Sequence, residues 1–153
     1  MTTCHCWSRP TAAPPTVEVE RLFEGSTPLA RRLRAEAPFA SGAAMIGRAR
    51  ELAATLSEAD QIATLNAHPR IGEDPARLSA LSLNEQGGER LPELDRLNAE
   101  YEAKFGFRFV VFVQGRPKSE IAQVLKDRMR NGRPEELRTG LEAVVDIAED
   151  RLR

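Results

Sequence analysis

The chain has 153 residues, of which 41% are hydrophobic and 29% charged, with a formal net charge of -1 at pH 7. That length carries one ordinary hydrophobic core without disulfides or metals, and the near-zero charge provides no general attraction to nucleic acid or an anionic membrane. A small-molecule or protein partner is therefore predicted.

No apolar run approaches the roughly 20 residues of a membrane span, and the opening MTTCHCWSRPTAAPPT lacks the continuous apolar segment of a secretion signal. The C-terminal Arg151-Leu152-Arg153 is not a peroxisomal address, so the expected location is the cytoplasm. Both cysteines fall in the opening segment as Cys4-His5-Cys6. A structural zinc site needs a fourth ligand and usually wider spacing, and no later Cys/His pair supplies either, so no metal is predicted. Residues 1–17, with Pro10, Pro14 and Pro15, read as a mobile N-terminal tail, and residues 18–153 as a single helical domain.

In STPLARRLRAEAP, Ser26 or Thr27 caps a helix that has Pro28 in its first turn and stops before Pro38. Arg31, Arg32 and Arg34 alternate there with Leu29 and Leu33, as on a solvated helix face. SGAAMIGRARELAATL is a second helix, with Met45, Ile46, Leu52 and Leu56 as its apolar positions. A third begins at Ser57, where SEAD places an acid three residues after a capping serine. It must end near His68, because Pro69 pushes the preceding residue out of the helical region. His68 has two readings at that point: a favourable partner for the helix C-terminus, or a group for proton transfer.

SLNEQGGERLPELDRLNAEYEAKFG reads as a short helix, a Gly87-Gly88 interruption and a longer helix stopped by Gly106. Ser82 and Glu85 are spaced as a capping box, the reading that spacing alone favours. Residues 107–113 are rich in Phe and Val but have no second strand to pair with, which predicts an extended or partly helical piece running through the core. Ile121, Val124, Leu125 and Met129 share one face of the next helix. The last helix has Pro134 in its first turn and Leu137, Leu141, Val144, Val145, Ala148 and Leu152 as its core stripe, with Arg151 at the border. The guanidinium of Arg151 either reaches water or points into a cleft, where its planar fork suits an imide or a carboxylate. The predicted fold is all-α: one helical bundle with one short extended apolar segment.

AHPRIG, SLNEQ, YEAKFGFRFVV followed by Gly115-Arg116, and IAEDRL occur in the order in which similar motifs occur in the 2-oxo-4-hydroxy-4-carboxy-5-ureidoimidazoline (OHCU) decarboxylase family; FEGSTPLARRLRAEAPF also resembles that family's opening segment, so the resemblance covers roughly residues 22–152. The resemblance implies an all-helical, cofactor-free and typically dimeric enzyme that converts OHCU to S-allantoin in urate degradation. It implies that His68 and Glu85 are catalytic and that Arg151 binds substrate. Pro69, Ser82 and Gln86 match other pocket positions, and backbone groups of the extended segment around Phe107, Phe109 and Val111 match those that grip the ring.

On that basis His68 exchanges the proton, Glu85 either orients and charges it or contacts the substrate directly, and Arg151 with Gln86 fixes the ureido and ring carbonyls. Two rival readings stay open on sequence. One is a non-catalytic ureide-binding or partner-docking domain on the same scaffold, and the other is a decarboxylase of a related carboxylated imidazoline.

Overall fold

Caps and prolines set the helix boundaries, and buried stripes set the packing. In this computed structural model, residues 16–73, 75–86 and 91–153 are described, so the Cys4-His5-Cys6 run and most of the segment read as a tail lie outside the described residues. Thr27 caps α2 (Pro28–Glu36), its hydroxyl accepting from the Ala30 amide at 3.1 Å. Ser41 does the same for α3 (Gly42–Thr55) and Ser57 for α4 (Glu58–Asn66). These satisfy amides that a helix start leaves without intrahelical partners. The short α1 (Thr16–Leu22) precedes them, beginning within the segment that sequence assigned to the tail.

A short 3-10 turn at Pro75–Arg77 leads to α5 (Ala80–Gln86), followed by α6 (Pro92–Phe105), α7 (Lys118–Arg128) and α8 (Arg133–Arg151). Gly106 ends α6 in the left-handed region at φ 82°, a conformation that glycine adopts without steric cost. The fold is all-α, as the sequence predicts, and among the described residues no helix is long and apolar enough to cross a membrane.

The long α8 is the hub of the packing, lying against α1, α3 and α4. Its Leu137, Leu141, Val144, Val145 and Ala148 are buried, but Leu152 is 37% exposed, because the helix has left the core by its last turn. At Gly140 an added Cβ would meet Cδ2 of Leu65 at 3.0 Å, so the missing side chain sets how closely α4 and α8 approach. On α7, Ile121 and Leu125 are buried while Val124 and Met129 pack only partly against the core. Arg31 and Arg32 are exposed, and Arg34 pairs with Glu20, so the basic run of α2 is a solvated face.

Residues 107–113 run through the interior without regular structure, with Phe107, Phe109, Val110, Val111 and Val113 buried. A buried extended chain must still satisfy its peptide groups. Arginines do this in place of a neighbouring strand: Arg128 Nη1 donates to the Val110 carbonyl at 2.7 Å and Arg116 Nε to the Val113 carbonyl at 3.0 Å. Asn66 accepts from the Arg108 amide at 3.0 Å.

Arg128 is itself held by Glu136, which is 0% exposed and also accepts from Tyr101 Oη at 2.7 Å and Asn131 Nδ2 at 2.9 Å. Glu136 raises the Tyr101 hydroxyl pKa further, on top of the larger effect of burial. Glu136→Ala leaves the Arg128 charge and the Tyr101 hydroxyl buried without their acceptor. A stability loss of about 3–5 kcal/mol is expected, measured by denaturant unfolding of variant and parent.

Candidate active site

Four pieces of chain converge on a cavity of about 470 Å³, a size suited to a small molecule. They are the exit of α4, one face of α5, the extended segment from Phe109 onward, and the last turn of α8.

The first piece follows from Pro69. Unable to continue as helix, the chain turns out after Ala67, and the His68 amide bonds back to the Leu65 carbonyl at 3.1 Å. Arg108 Nη1 grips the His68 carbonyl at 3.0 Å, joining this exit to the extended segment. The next residues are braced from both sides: Asn98 Nδ2 donates to the Ile71 carbonyl at 2.8 Å, and Gln86 Oε1 accepts from the Gly72 amide at 3.1 Å.

His68 is 4% exposed, with Nδ1 lying 3.4 Å from the Thr64 carbonyl. Nε2 is buried and has no hydrogen-bond partner among the described residues. Burial lowers the imidazole pKa to about 4; Glu24 opposes this and Arg151 adds to it. The folded protein therefore holds His68 neutral near pH 7, a state in which one ring nitrogen can accept a proton.

On α5 the capping-box reading of Ser82 and Glu85 does not hold. Ser79 is the cap, its hydroxyl accepting from the Ser82 amide at 3.1 Å, which puts Ser82 inside the first turns of the helix. Ser82, Glu85 and Gln86, at positions i, i+3 and i+4, then share one face. Ser82 Oγ donates to Glu24, and Glu85 forms a two-point pair with Arg151 through Nε at 2.7 Å and Nη2 at 3.1 Å.

Arg151 does not reach for water. Its side chain is 3% exposed, and besides Glu85 it bonds Glu24 through Nη2 at 2.7 Å and the carbonyls of Arg21 and Leu22 through Nη1, both at 3.2 Å. Burial works against its charge, but the bonds to Glu85 and Glu24 outweigh it and hold the guanidinium pKa above its ordinary value. Glu85 is thus a partner of Arg151 and not a hydrogen-bonding partner of the His68 ring, which corrects the expectation that it orients the imidazole directly.

Glu24 is the residue that sequence reasoning missed. It stands at φ 58°, beside Gly25 at φ 104°, just past the C-terminus of α1. Burial raises its pKa, but the Ser82 hydroxyl and Arg151 lower it by more, with a smaller contribution from His68, so it stays ionised below the usual glutamate range. The one hint in the sequence is an acid placed where a helix dipole disfavours negative charge.

Of the residues carried over from the family, His68, Pro69, Ser82, Glu85, Gln86, Phe109, Val111 and Arg151 all line this cavity. Phe107 does not: its ring packs against Tyr101 and Phe105, with the Arg133 guanidinium 5.7 Å from its centroid. The first residue after the Gly106 turn is still part of the α6 packing, and the wall begins with Phe109. Among the described residues there is no group of three His, Cys, Asp or Glu side chains placed to hold a metal ion.

The model of the OHCU decarboxylase family matches residues 13–153. A 2-oxo-4-hydroxy-4-carboxy-5-ureidoimidazoline decarboxylase of Haloferax volcanii is 30% identical over 138 residues, covering 86% of this chain and 82% of that protein. A uric acid degradation bifunctional protein of Bacillus sp. (strain TB-90) is 32% identical over 139 residues, again 86% of this chain, which spans 28% of the length of that protein. A crystal structure of an OHCU decarboxylase in the presence of (S)-allantoin superposes with a TM-score of 0.64 at 28% identity, covering 81% of this chain and 87% of the other.

The buried neutral imidazole gives stability a pH dependence. Because the folded pKa is depressed, the stabilisation is complete above the ordinary value of 6.5 and is lost as pH falls toward about 4. Across that window the melting temperature of the parent is expected to fall more steeply than that of His68→Asn, as followed by circular dichroism.

Proposed function

The chain belongs to the OHCU decarboxylase family, and from that premise we propose that it removes carbon dioxide from 2-oxo-4-hydroxy-4-carboxy-5-ureidoimidazoline to give S-allantoin. The observation that carries the proposal is a single cavity lined by His68, Glu85 and Arg151 together, with His68 Nε2 buried and without a hydrogen-bond partner among the described residues.

The chemistry asks for no external electron sink. When the bond to the carboxylate breaks, its electron pair forms a double bond to the neighbouring ring carbon and the C=N electrons pass to nitrogen, which takes a proton from water; the hydroxyl on the first carbon then gives up its proton and becomes a carbonyl. A proton is then delivered to the adjacent carbon on one face. What the protein must supply is orientation, accommodation of moving charge and that proton transfer.

His68 is the group for the proton. With Nδ1 directed at the Thr64 carbonyl, Nε2 is the nitrogen left to accept the hydroxyl proton and return it to carbon. Burial favours the neutral starting form, and the nearby Glu24 charge favours the imidazolium once it forms. Glu85 and Arg151 present a paired carboxylate and guanidinium to the ligand, and Phe109 and Val111 supply the apolar wall. Gln86 acts by bracing the loop that follows His68, through Gly72. The enzyme works as a homodimer in the cytoplasm in this reading, an assembly suggested by the family resemblance. Light scattering is expected to give about twice the 17.0 kDa chain mass.

The experiment generates the short-lived substrate from urate with uricase and hydroxyisourate hydrolase, adds this protein, and follows the optical activity of allantoin. Faster appearance of one enantiomer than in the spontaneous reaction is expected. A rate and enantiomeric outcome equal to the spontaneous ones would favour a binding domain. His68→Ala is expected to lower kcat by about 10²–10⁴-fold while retaining the fold, checked by the same assay and a melting curve.

A further inference from the structure

The cluster around Arg151 contains two carboxylates and one guanidinium, and the two carboxylates are not equivalent. Glu24 is 11% exposed and receives both Arg151 Nη2 and the Ser82 hydroxyl on the same oxygen, Oε1. Glu85 is 26% exposed, stands one residue before the end of α5, and among the described residues makes no hydrogen bond besides its two to Arg151.

The two also take different edges of the guanidinium. The turn at residues 21–24 supplies the carbonyls of Arg21 and Leu22 to Nη1 and the Glu24 carboxylate to Nη2. Glu85 takes the remaining fork, Nε and Nη2, in the side-on arrangement that a planar carboxylate or ureido group matches. The left-handed backbone at Glu24 folds its side chain back beside the carbonyls of its own turn. A non-glycine residue in that region is uncommon and points to a requirement for the side chain there.

We propose that Glu24, with the carbonyls of its turn, is the permanent holder of Arg151, and that Glu85 is the exchangeable partner that yields the guanidinium fork to a planar carboxylate or ureido group of the ligand. Glu24 is in this account a positioning residue: it acts through Arg151 and Ser82 and does not touch the reacting atoms. Were Glu85 the only carboxylate on Arg151, its departure would strand a buried guanidinium, at high cost. With Glu24 in place the charge stays paired throughout, and the released Glu85 is free to meet the ligand beside His68. This inference rests on the decarboxylase reading for the identity of the ligand, but the holding of Arg151 by Glu24 is testable without it.

The test uses the full chain and the variants Glu24→Ala, Glu24→Gln and Glu24→Asp, with two readouts. The first is exchange of the Arg151 guanidinium protons with water by ¹⁵N NMR, assigned by their loss in Arg151→Lys. The second is the split between KM and kcat on enzymatically generated substrate. Glu24→Ala is expected to speed guanidinium exchange and to raise KM by about tenfold or more, with a smaller change in kcat. Glu24→Gln, whose carbonyl oxygen can accept both bonds but carries no charge, is expected to fall between Glu24→Ala and the parent in both readouts. If Glu24→Ala does not fold, Glu24→Asp, one methylene short of Arg151, carries the same expectation.

A folded Glu24→Ala or Glu24→Asp with parental exchange and parental KM overturns the proposal. A parent that does not turn over the substrate overturns the decarboxylase reading instead, and the exchange measurement then decides the role of Glu24 alone.

Discussion

A guanidinium at the end of α8 joins pieces of chain that otherwise share little. Arg151 ties the last helix to the turn after the first one and to α5, through bonds to Arg21, Leu22, Glu24 and Glu85. Such a group is stable in the interior only if its donors are matched nearly completely, and here Nε, Nη1 and Nη2 are all engaged. The cavity walls come from residues between His68 and Arg153, and the N-terminal end of the described chain bears on them through Arg151. The shape of the site depends on how the first and last helices dock.

Two further polar clusters do similar work at its margins. Glu136, Tyr101 and Arg128 hold the Val110 carbonyl, and Arg128 also covers the Phe109 ring at 4.6 Å. Asn98, Gln86 and the Arg70–Glu102 pair hold the loop after His68. The apolar core of the bundle sets where the helices lie. These networks set where the loop and the extended wall lie relative to them, and so where His68 is found.

Much of the helical scaffold was legible because its signals are local. Thr27 with Pro28, Ser57 with Asp60, and Gly106 each act on the few residues next to them, and each marks a boundary in the structure. The site was less legible because its decisive contacts are not local. Ser82 and Glu85 have the spacing of a capping box, and only the position of Ser79 and the distant Arg151 and Glu24 reveal that their side chains go elsewhere. Family resemblance found His68, Glu85 and Arg151 as residues of one cavity, but not that the carboxylate pairs with the arginine and leaves the imidazole alone. Glu24 lies in FEGSTPLARRLRAEAPF, which resembles the family's opening segment, but that resemblance assigned it no role. Its role arises from a left-handed turn and from a partner 127 residues away. Phe107 was grouped with Phe109 because the family resemblance takes in the whole segment from Phe107 to Val111, yet the chain is still leaving α6 at its start.

The extended wall belongs to no sheet, and that has a consequence for how the site can change. In a sheet, each peptide group is fixed by a neighbouring strand, and moving one residue disturbs a whole ladder. Here the carbonyls of Val110 and Val113 are set one by one, by single arginine side chains. Replacing Arg116 releases the carbonyls of Phe112 and Val113 and leaves the buried Arg128–Glu136 pair between α7 and α8 untouched. Selectivity among ligands of similar shape is accordingly open to tuning from positions such as Arg116, which is not among the residues that line the cavity.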